Sequence, residues 1–516
     1  MILAADWVAF NADRTPDNIA IIDQGTGREF SYAALNIRSA TLAGYMREAW
    51  GIGAGDVVAI LAKNSAEYFT FQFACWKLGA IMLPLNWRLA HPELVYILND
   101  AEAKGLIYDT EFMDQVPSLL KDCGITNELE LDIDQAYGYE EIVNGEAGYP
   151  QVEMNPTTSH DTPMTIMYTS GTTGHPKGVI ITHGMTFWNM VNMSQPTGLN
   201  HESVQYMVLP TFHTAGLNLY SNVILHHGGT VIIAREFDPA LTLQTLADDS
   251  PGVTHFFGVP AIYLFLSQHD DFDTTDLSRV KSWGCGGAPM PAALLKKYAD
   301  RGIIIQLGFG MTETSPTVFL IAKRRALLKP TSVGKPMMHT RVRVVDDSFN
   351  DVPVGEVGEV VISGGNVTPG YHNRPDANAE NFTTDEHGIR WLHSGDAGMM
   401  DDEGCIYIVD RYKDMYISGG ENVYPAEVEQ VIFQIEGVKD VAVIGVPSEK
   451  WGECGKAIVV AGAGASSEEA IIAHCQQNLA KFKVPQSVAF VDELPRNAAG
   501  KVLKRELRKQ FIPEQR

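Results

Sequence analysis

The stretch Thr169-Ser170-Gly171-Thr172-Thr173-Gly174-His175-Pro176-Lys177-Gly178 lies between two short apolar runs, residues 165–168 and 179–181. Both runs are β-prone, so the stretch predicts a loop between two strands. Its glycines let backbone N–H groups approach an anion closely, its hydroxyls add hydrogen-bond donors, and Lys177 adds a positive charge. We interpret the stretch as a phosphate-binding loop.

The loop does not match the Walker A pattern GxxxxGK[ST]. If that pattern began at Gly171, it would need Gly in place of Pro176 and Ser or Thr in place of Gly178. The residues that follow also read as a strand and not as a helix. The sequence therefore argues against a P-loop kinase or NTPase. An ordinary hairpin turn is the simpler alternative, but it does not need so many hydroxyls together with a lysine.

The charge of the chain is large and unevenly placed. The 516 residues carry a formal net charge of −24, which argues against a nucleic-acid partner and against attachment to anionic lipid. Residues 411–516 hold 14 basic and 14 acidic side chains, so the whole excess lies in residues 1–410. The length also exceeds what one hydrophobic core usually holds. We predict a large N-terminal domain over residues 1–410 and a small C-terminal domain over residues 411–516.

Short apolar runs alternate with stretches of helical character. Strands are predicted at 57–61, 105–108, 206–209 and 229–233, and a helix at 67–78. Strands separated by helices indicate parallel sheets with helical crossovers, hence an α/β fold. Residues 145–163 are predicted to form a surface connection.

The cysteines and the chain ends suggest a cytoplasmic protein without stable membrane insertion. The six cysteines are scattered without a CxxC pair, which indicates a reducing compartment and no zinc ribbon. Residues 1–16 lack the basic start of a secretory signal, and the last residues are not an SKL or KDEL address. The apolar stretch 71–85 is too short to span a bilayer.

Six further motifs follow the loop in order. They are PTFHTAG at 210–216, WGCGGAP at 283–289, GFGMTET at 308–314, WLHSGD at 391–396, ISGGENVYPAEVE at 417–429 and PRNAAGKVLKR at 495–505. Together with the loop they resemble the signatures of the adenylate-forming superfamily, which includes acyl-CoA synthetases, aryl-CoA ligases, luciferases and peptide-synthetase adenylation domains. The resemblance covers nearly the whole chain. It implies a large domain of stacked β-sheets with flanking helices and a small, mobile α+β C-terminal domain.

The resemblance also implies the substrates, ATP and coenzyme A, and Mg²⁺ as the metal ion. By position in the motifs, Lys501 and Lys177 would act on the phosphates, Glu313 would hold Mg²⁺, and His213 would line the acyl pocket. Lys413 would be the hinge, and Asp396 and Arg411 would bind the ribose. The other implied binding residues are Thr169, Ser170, Gly171, Thr172, Thr173 and Gly174 for phosphate, Gly287, Ala288, Pro289, Gly308, Phe309, Gly310, Met311 and Thr312 for the adenylate, and Ser418, Gly419, Gly420 and Phe482 for coenzyme A.

Two positions depart from the usual family pattern. Phe309 stands where Tyr is common, which keeps an aromatic face for stacking on adenine and loses a hydroxyl. Leu307 stands where Gln is common, which removes a polar contact. Thr214 stands where amino-acid-activating relatives carry an acidic residue, so the resemblance argues against an α-amino acid substrate.

The expected reaction is carboxylate activation through an acyl-adenylate, giving acyl-CoA, AMP and pyrophosphate. Phe212, Phe257, Gly286 and Met311 indicate an apolar acyl site, so a medium- or long-chain fatty acid is the first substrate hypothesis, with a role in fatty acid metabolism. An aryl or phenylpropanoid acid is the alternative.

Two other functional classes stay open in the sequence. One is an adenylation enzyme that loads a carrier protein, although no carrier domain follows Lys501. The other is a nucleotide-binding relative without activity, which the intact Lys177, Glu313, Asp396 and Lys501 disfavour. A homodimer is common among relatives. Residues 481–516 hold nine basic and four acidic side chains, and we expect Lys504, Arg505 and Arg508 to attract coenzyme A.

Overall fold

A computed structural model describes residues 1–135, 138–169, 176–411, 414–418, 421–448, 451–462, 467–497 and 500–512. Its strands are β1 (Ile19–Asp23), β2 (Arg28–Ser31), β3 (Val57–Leu61), β4 (Ile81–Pro84), β5 (Gly105–Asp109), β6 (Asn127–Leu131), β7 (Pro163–Thr169), β8 (Lys177–Thr182), β9 (Val204–Met207), β10 (Thr230–Ile233), β11 (His255–Gly258), β12 (Ser282–Cys285), β13 (Ile305–Gly310), β14 (Thr317–Leu320), β15 (Lys335–Pro336), β16 (Thr340–Val345), β17 (Val357–Gly364), β18 (Phe382–Thr384), β19 (Arg390–Met400), β20 (Ile406–Arg411), β21 (Tyr416–Ser418), β22 (Glu421–Val423), β23 (Val438–Ser448), β24 (Gly452–Ala461) and β25 (Ser487–Val491).

The helices alternate with these strands over most of the chain. They are α1 (Trp7–Arg14), α2 (Tyr32–Trp50), α3 (Ala66–Leu78), α4 (His91–Asp100), α5 (Val116–Cys123), α6 (Tyr139–Val143), α7 (His183–Thr197), α8 (Ser221–His227), α9 (Pro239–Ala247), α10 (Pro260–Gln268), α11 (Ala292–Ala299), α12 (Lys323–Ala326), α13 (Pro375–Asn381), α14 (Pro425–Ile432), α15 (Glu468–Asn478) and α16 (Lys504–Phe511). Short 3₁₀ turns cover Thr110–Phe112 and Thr312–Thr314, and a π-helical turn covers Ala215–Leu219.

Two mainly parallel sheets form the centre of the large domain. In the described residues, one sheet has the strand order β6-β5-β3-β4-β7-β8, with β8 antiparallel to β7. The other has the order β15-β14-β13-β12-β11-β9-β10-β1-β2, parallel from β13 to β1 and antiparallel at both ends. The β7–β8 pair carries the predicted phosphate loop at its open end, and β13 leads into the 308–314 motif.

Helices α2, α3, α7 and α8 join the two sheets through a shared hydrophobic core that contains residues of both. Every residue of α3 is buried, because the helix is apolar on all sides and its two charged side chains are paired. Glu67 accepts from Arg28, and Lys77 pairs with Asp6 at 2.5 Å. This packing holds the ends of β7 and β13 in fixed relation.

Two smaller sheets complete the fold. Strands β16, β17, β19, β18 and β20 form an antiparallel sheet, and β22, β21, β24, β23 and β25 form a second sheet that belongs to the C-terminal part of the chain. Helices α14 and α15 pack on that second sheet around a separate core. The predicted α/β fold with a small C-terminal domain is confirmed. The boundary between residues 410 and 411 falls within the end of β20 and stays a prediction.

The predicted elements agree with the structure except at one boundary. Residues 57–61 and 105–108 lie in β3 and β5, residues 229–233 in β10 with the preceding glycine, and residues 67–78 in α3. The strand predicted at 206–209 lies two residues earlier, at Val204–Met207, because the chain turns at Pro210. Across the described ranges, no helix is both long and apolar enough to cross a bilayer.

Candidate active site

A cavity of about 280 Å³ opens between the large domain and the C-terminal domain. The large domain lines it with the 287–289 loop, with residues 308–311 at the end of β13, and with Asp396 and Arg411. The C-terminal domain contributes Lys501. The structure therefore brings together, around one cavity, residues that stand more than 200 positions apart in the chain.

The end of β13 is shaped by close backbone packing. A Cβ on Gly310 would overlap the carbonyl oxygen of Pro316, and one on Gly308 would lie 3.1 Å from the carbonyl oxygen of Phe319. The half-buried ring of Phe309 tilts against Phe319 with centroids 5.8 Å apart. These glycines let the strand run against β14, so that Phe309 reaches the cavity with a fixed ring. The predicted stacking of adenine on Phe309 stays a prediction.

Asp396 and Arg411 face each other across the β19–β20 pair. The Asp396 carboxylate is buried, and its Oδ1 lies 3.4 Å from Nε of Arg411. The segment before Asp396 is held by Glu359, whose two oxygens contact Nδ1 of His393 at 2.8 Å and the backbone N–H of Gly395 at 3.0 Å. Glu359 was not predicted from the sequence, because it lies on another strand, 37 residues earlier. A carboxylate held in this way suits the two hydroxyls of a ribose.

Glu313 lies at the 3₁₀ turn that follows β13, and it is buried. Its Oε1 accepts a hydrogen bond from the hydroxyl of Tyr371 at 3.0 Å. Burial raises the pKa of Glu313, so a bound cation would stabilise its charged form.

The surroundings of Glu313 suit Mg²⁺ that arrives with a nucleotide. The described residues contain no group of three or more Asp, Glu, His or Cys side chains that could hold a metal alone. Mg²⁺ is commonly bound by one or two carboxylates together with substrate phosphates and water. One buried carboxylate beside a nucleotide cavity fits that pattern, and the ion itself stays a proposal.

Lys177 is the first residue of β8 and pairs in register with Thr169, the last residue of β7. Its Nζ lies 5.3 Å from the ring centroid of Tyr371. The loop residues Ser170, Gly171, Thr172, Thr173 and Gly174 lie outside the described residues. The two strands predicted on either side of them are present as β7 and β8.

His213 lies just before the π-helical turn Ala215–Leu219 and packs against Phe212 with ring centroids 4.7 Å apart. Burial, aided by the nearby Arg88 charge, lowers the pKa of His213 to about 4. The imidazole is therefore neutral at physiological pH. Neither His213 nor Phe212 lines the 280 Å³ cavity, and Phe212 is a core residue with 3% exposure. The predicted places of His213 and Phe212 in an acyl pocket therefore stay predictions.

Lys501 lies in a short segment whose ends are joined by an antiparallel β-bridge between the backbones of Arg496 and Val502. The side chain of Asn497 accepts from the Lys501 backbone N–H at 2.9 Å, and the guanidinium of Arg496 donates to the carbonyl of Gly500 at 2.6 Å while pairing with Asp440. Gly500 has φ +79°, and a Cβ there would lie 2.9 Å from Val259 of the large domain. The segment thus docks against the large domain, which directs Lys501 to the cavity.

The residues predicted to meet coenzyme A are only partly described. Gly419 and Gly420 lie outside the described residues, as does the predicted hinge Lys413, and Ser418 is buried at the end of β21. Phe482 is half-buried and packs against the core of the small domain. None of the described members of this group lines the 280 Å³ cavity, so their contact with coenzyme A stays a prediction.

The attraction of coenzyme A expected of Lys504 and Arg508 stays a prediction, although both side chains form ion pairs within the small domain. Nζ of Lys504 pairs with Glu429 at 2.8 Å, and Arg508 pairs with Asp414 at 3.0 Å. Both basic side chains are largely covered, whereas Arg505 is exposed. The counter-charges lie 75 and 94 positions earlier in the chain, so a count of charge within the tail does not identify these pairs.

Comparisons with known proteins agree with the motifs. The AMP-binding enzyme family matches residues 8–372, and the AMP-binding enzyme C-terminal domain matches residues 427–501. A feruloyl-CoA synthase of Amycolatopsis sp is 39% identical over 509 residues, covering 98% of each chain. The long-chain-fatty-acid–CoA ligase FadD13 of Mycobacterium tuberculosis is 37% identical over 494 residues, covering 95% of each chain. The crystal structure of ATP-bound MatB from Rhodopseudomonas palustris has a TM-score of 0.88 at 31% identity, covering 99% of each chain.

Proposed function

Because the chain belongs to the AMP-binding enzyme family and is an AMP-forming acid–thiol ligase, we propose that it joins a hydrophobic monocarboxylic acid to coenzyme A. The activity proceeds through an acyl-adenylate, with ATP as the activating substrate. The observation that carries the proposal is the shared cavity, which Phe309, Asp396 and Lys501 reach from three separate parts of the chain.

The residues at the cavity suit the first half-reaction. Attack of the carboxylate on the α-phosphorus builds negative charge on the phosphate oxygens, which catalysis must stabilise by fixed positive groups. We assign that task to Lys501 and Lys177, with the 169–174 loop as a cradle. Mg²⁺, when bound at Glu313, would neutralise further phosphate charge. Asp396 with Arg411 would orient the ribose, and Phe309 the adenine.

The second half-reaction needs a different surface. A coenzyme A thiolate attacks the acyl-adenylate carbonyl and AMP leaves, so the thiol must reach a place near Lys501. We propose that the small domain turns about Lys413 and presents Ser418, Gly419 and Gly420 instead. Such alternation uses one site for two reactions and is a domain-scale gating step.

Aromatic side chains support a hydrophobic acid. A Cβ on Gly284 would lie 2.7 Å from Cδ2 of Phe257 and 2.9 Å from the hydroxyl oxygen of Tyr220. Phe257 also approaches Gly286, and it is only partly buried. Phe257 therefore presents a partly exposed apolar ring beside Gly284 and Gly286. A medium- or long-chain fatty acid fits its polarity.

An aryl or phenylpropanoid acid is the second candidate, because the partly buried aromatic ring of Phe257 lies beside Gly286. A panel of octanoate, palmitate, benzoate, ferulate and malonate, scored by coenzyme A consumption, decides between the two. We expect turnover with hydrophobic acids. Phe257→Ala should move the preference toward longer chains, because it removes the ring. Turnover of malonate or acetate alone would contradict the proposal.

Loading of a carrier protein is the remaining alternative. Formation of a thioester with free coenzyme A, followed beside ATP–pyrophosphate exchange, separates it from the proposed ligase. A homodimer and a cytoplasmic location stay predictions. All six cysteines are free thiols, as a reducing compartment would leave them.

A further inference from the structure

Tyr371 lies between two residues to which the proposed function gives a role. Its hydroxyl donates to Oε1 of Glu313 at 3.0 Å, and its ring centroid is 5.3 Å from Nζ of Lys177. The side chain is buried, with 6% exposure. No sequence motif singled it out.

The backbone around Tyr371 is unusually well fixed. The side-chain amide of Asn378 accepts from the Tyr371 N–H at 2.8 Å and donates to its carbonyl at 3.3 Å. Gly370 has φ +148°, and a Cβ there would collide with Asn378, so only glycine fits before the tyrosine. The segment also bridges to β8, because Tyr371 pairs with Val179. The ring therefore cannot move away from the site at low cost.

Thr368 joins the same segment to Glu313. Its N–H donates to the carbonyl of Glu313 at 2.8 Å, and its hydroxyl donates to the carbonyl of Ile180 at 2.6 Å. Residues 368–371 are thus attached on one side to the strand that begins at Lys177 and on the other to the turn that carries Glu313. Tyr371 is the residue of this segment that contacts both side chains.

We propose that Tyr371 is a positioning residue that keeps Lys177 and Glu313 apart and aimed at the nucleotide. None of the ion pairs found among the described residues involves Lys177, and Glu313 contacts the hydroxyl of the tyrosine whose ring Lys177 approaches. The ring attracts the ammonium through its π face, and the hydroxyl takes one oxygen of the carboxylate. A direct Lys177–Glu313 pair would neutralise both groups, whereas this arrangement leaves the cation for phosphate and a carboxylate oxygen for Mg²⁺.

The inference rests on the proposed roles of Glu313 and Lys177, so its test measures binding separately from turnover. Titration calorimetry with Mg·ATP, metal-free ATP and AMP, without carboxylic acid, separates the two contacts. Tyr371→Phe keeps the ring and loses the hydroxyl, so we expect about tenfold weaker Mg·ATP binding and unchanged binding of AMP and metal-free ATP. Tyr371→Leu also loses the ring and should weaken metal-free ATP as well.

Tyr206→Phe is the matched control. Tyr206 is a fully buried tyrosine that does not line the cavity, and its hydroxyl donates a hydrogen bond of 2.8 Å to Gln24. Loss of this hydroxyl therefore tests the general effect of one missing hydroxyl group. Unchanged Mg·ATP binding in Tyr371→Phe would overturn the inference, as would an equal loss in Tyr206→Phe. Glu313→Gln separates the two hypotheses. If that variant binds Mg·ATP normally, the proposed metal role itself fails, and if it alone weakens binding, only the role of Tyr371 fails.

Discussion

At the scale of single residues, Lys501 shows how backbone contacts can hold a lysine near the end of the chain in a fixed position at the cavity. Arg496 and Asn497 hold the Gly500–Lys501 backbone, and the glycine abuts Val259 of the large domain. A lysine on an unbraced chain end would sample many directions and stabilise a transition state poorly. These contacts restrict the positions that the Lys501 ammonium group can take.

We predict that Lys501→Ala lowers acid-dependent ATP–pyrophosphate exchange by about 10²–10³, the usual effect of removing one positioned charge-stabilising group. Conversion of a supplied acyl-adenylate to acyl-CoA should be largely kept, because the small domain then carries Lys501 away. Lys509→Ala is the control, since Lys509 is exposed and, within the described residues, pairs with Glu506. Normal exchange in Lys501→Ala would remove this lysine from the adenylation step.

At the scale of elements, the turn from β13 to Thr312–Thr314 depends on one glycine. Gly310 packs so tightly against Pro316 that a Cβ has no space, although its φ is ordinary. The sequence predicts a Gly-rich turn here but not why the second glycine is needed, because Pro316 approaches only when β14 folds back on β13. Gly310 is needed because of tertiary packing against Pro316, and not because its backbone dihedral angles exclude other residues.

Gly310→Ala should therefore displace the 3₁₀ turn that carries Glu313. We expect a loss of about 2–3 kcal/mol in the free energy of unfolding, as for an overpacked core, together with weaker ATP binding. Gly53→Ala is the control, because the nearest atom to its Cβ is 4.0 Å away and its φ is not positive. Urea denaturation and calorimetry measure the two effects. Equal stability of both variants would show that the backbone yields at Gly310.

At the scale of the whole molecule, the ion pairs that a basic side chain forms decide its surroundings more than the net charge of its segment does. The C-terminal segment is neutral by count, and its basic side chains Lys504 and Arg508 pair with Glu429 and Asp414. Asp410, which accepts from the Ala426 N–H at 2.9 Å, lies nearby and adds to the charge that Lys504 faces. These contacts fasten α16 to the beginning of the small domain.

Lys504→Met should lower the free energy of unfolding by about 3 kcal/mol, because it leaves the largely buried Glu429 without its cation. Burial raises the pKa of Glu429, so the loss should shrink at low pH, where protonation of the carboxyl removes the unpaired charge. Arg505→Ala changes an exposed side chain and is the control. Thermal unfolding at pH 7.5 and 5 tests this. A change in the KM for coenzyme A with normal stability would support the charge-capture hypothesis.

From the sequence alone come the two strands on either side of the predicted phosphate loop, the alternation of strands and helices, and part of the cavity lining. The ligase chemistry comes from the resemblance of the motifs to the adenylate-forming superfamily. The strands and the predicted loop follow from local spacing, since glycines, hydroxyls and a lysine near one another act within one loop. Only the tertiary structure placed Tyr371 between Lys177 and Glu313, Glu359 behind His393, and Glu429 beside Lys504. Such contacts join residues 34 to 194 positions apart, and a contact of that kind has no local signature. It exists only once the sheets are packed and each buried polar group has found its partner.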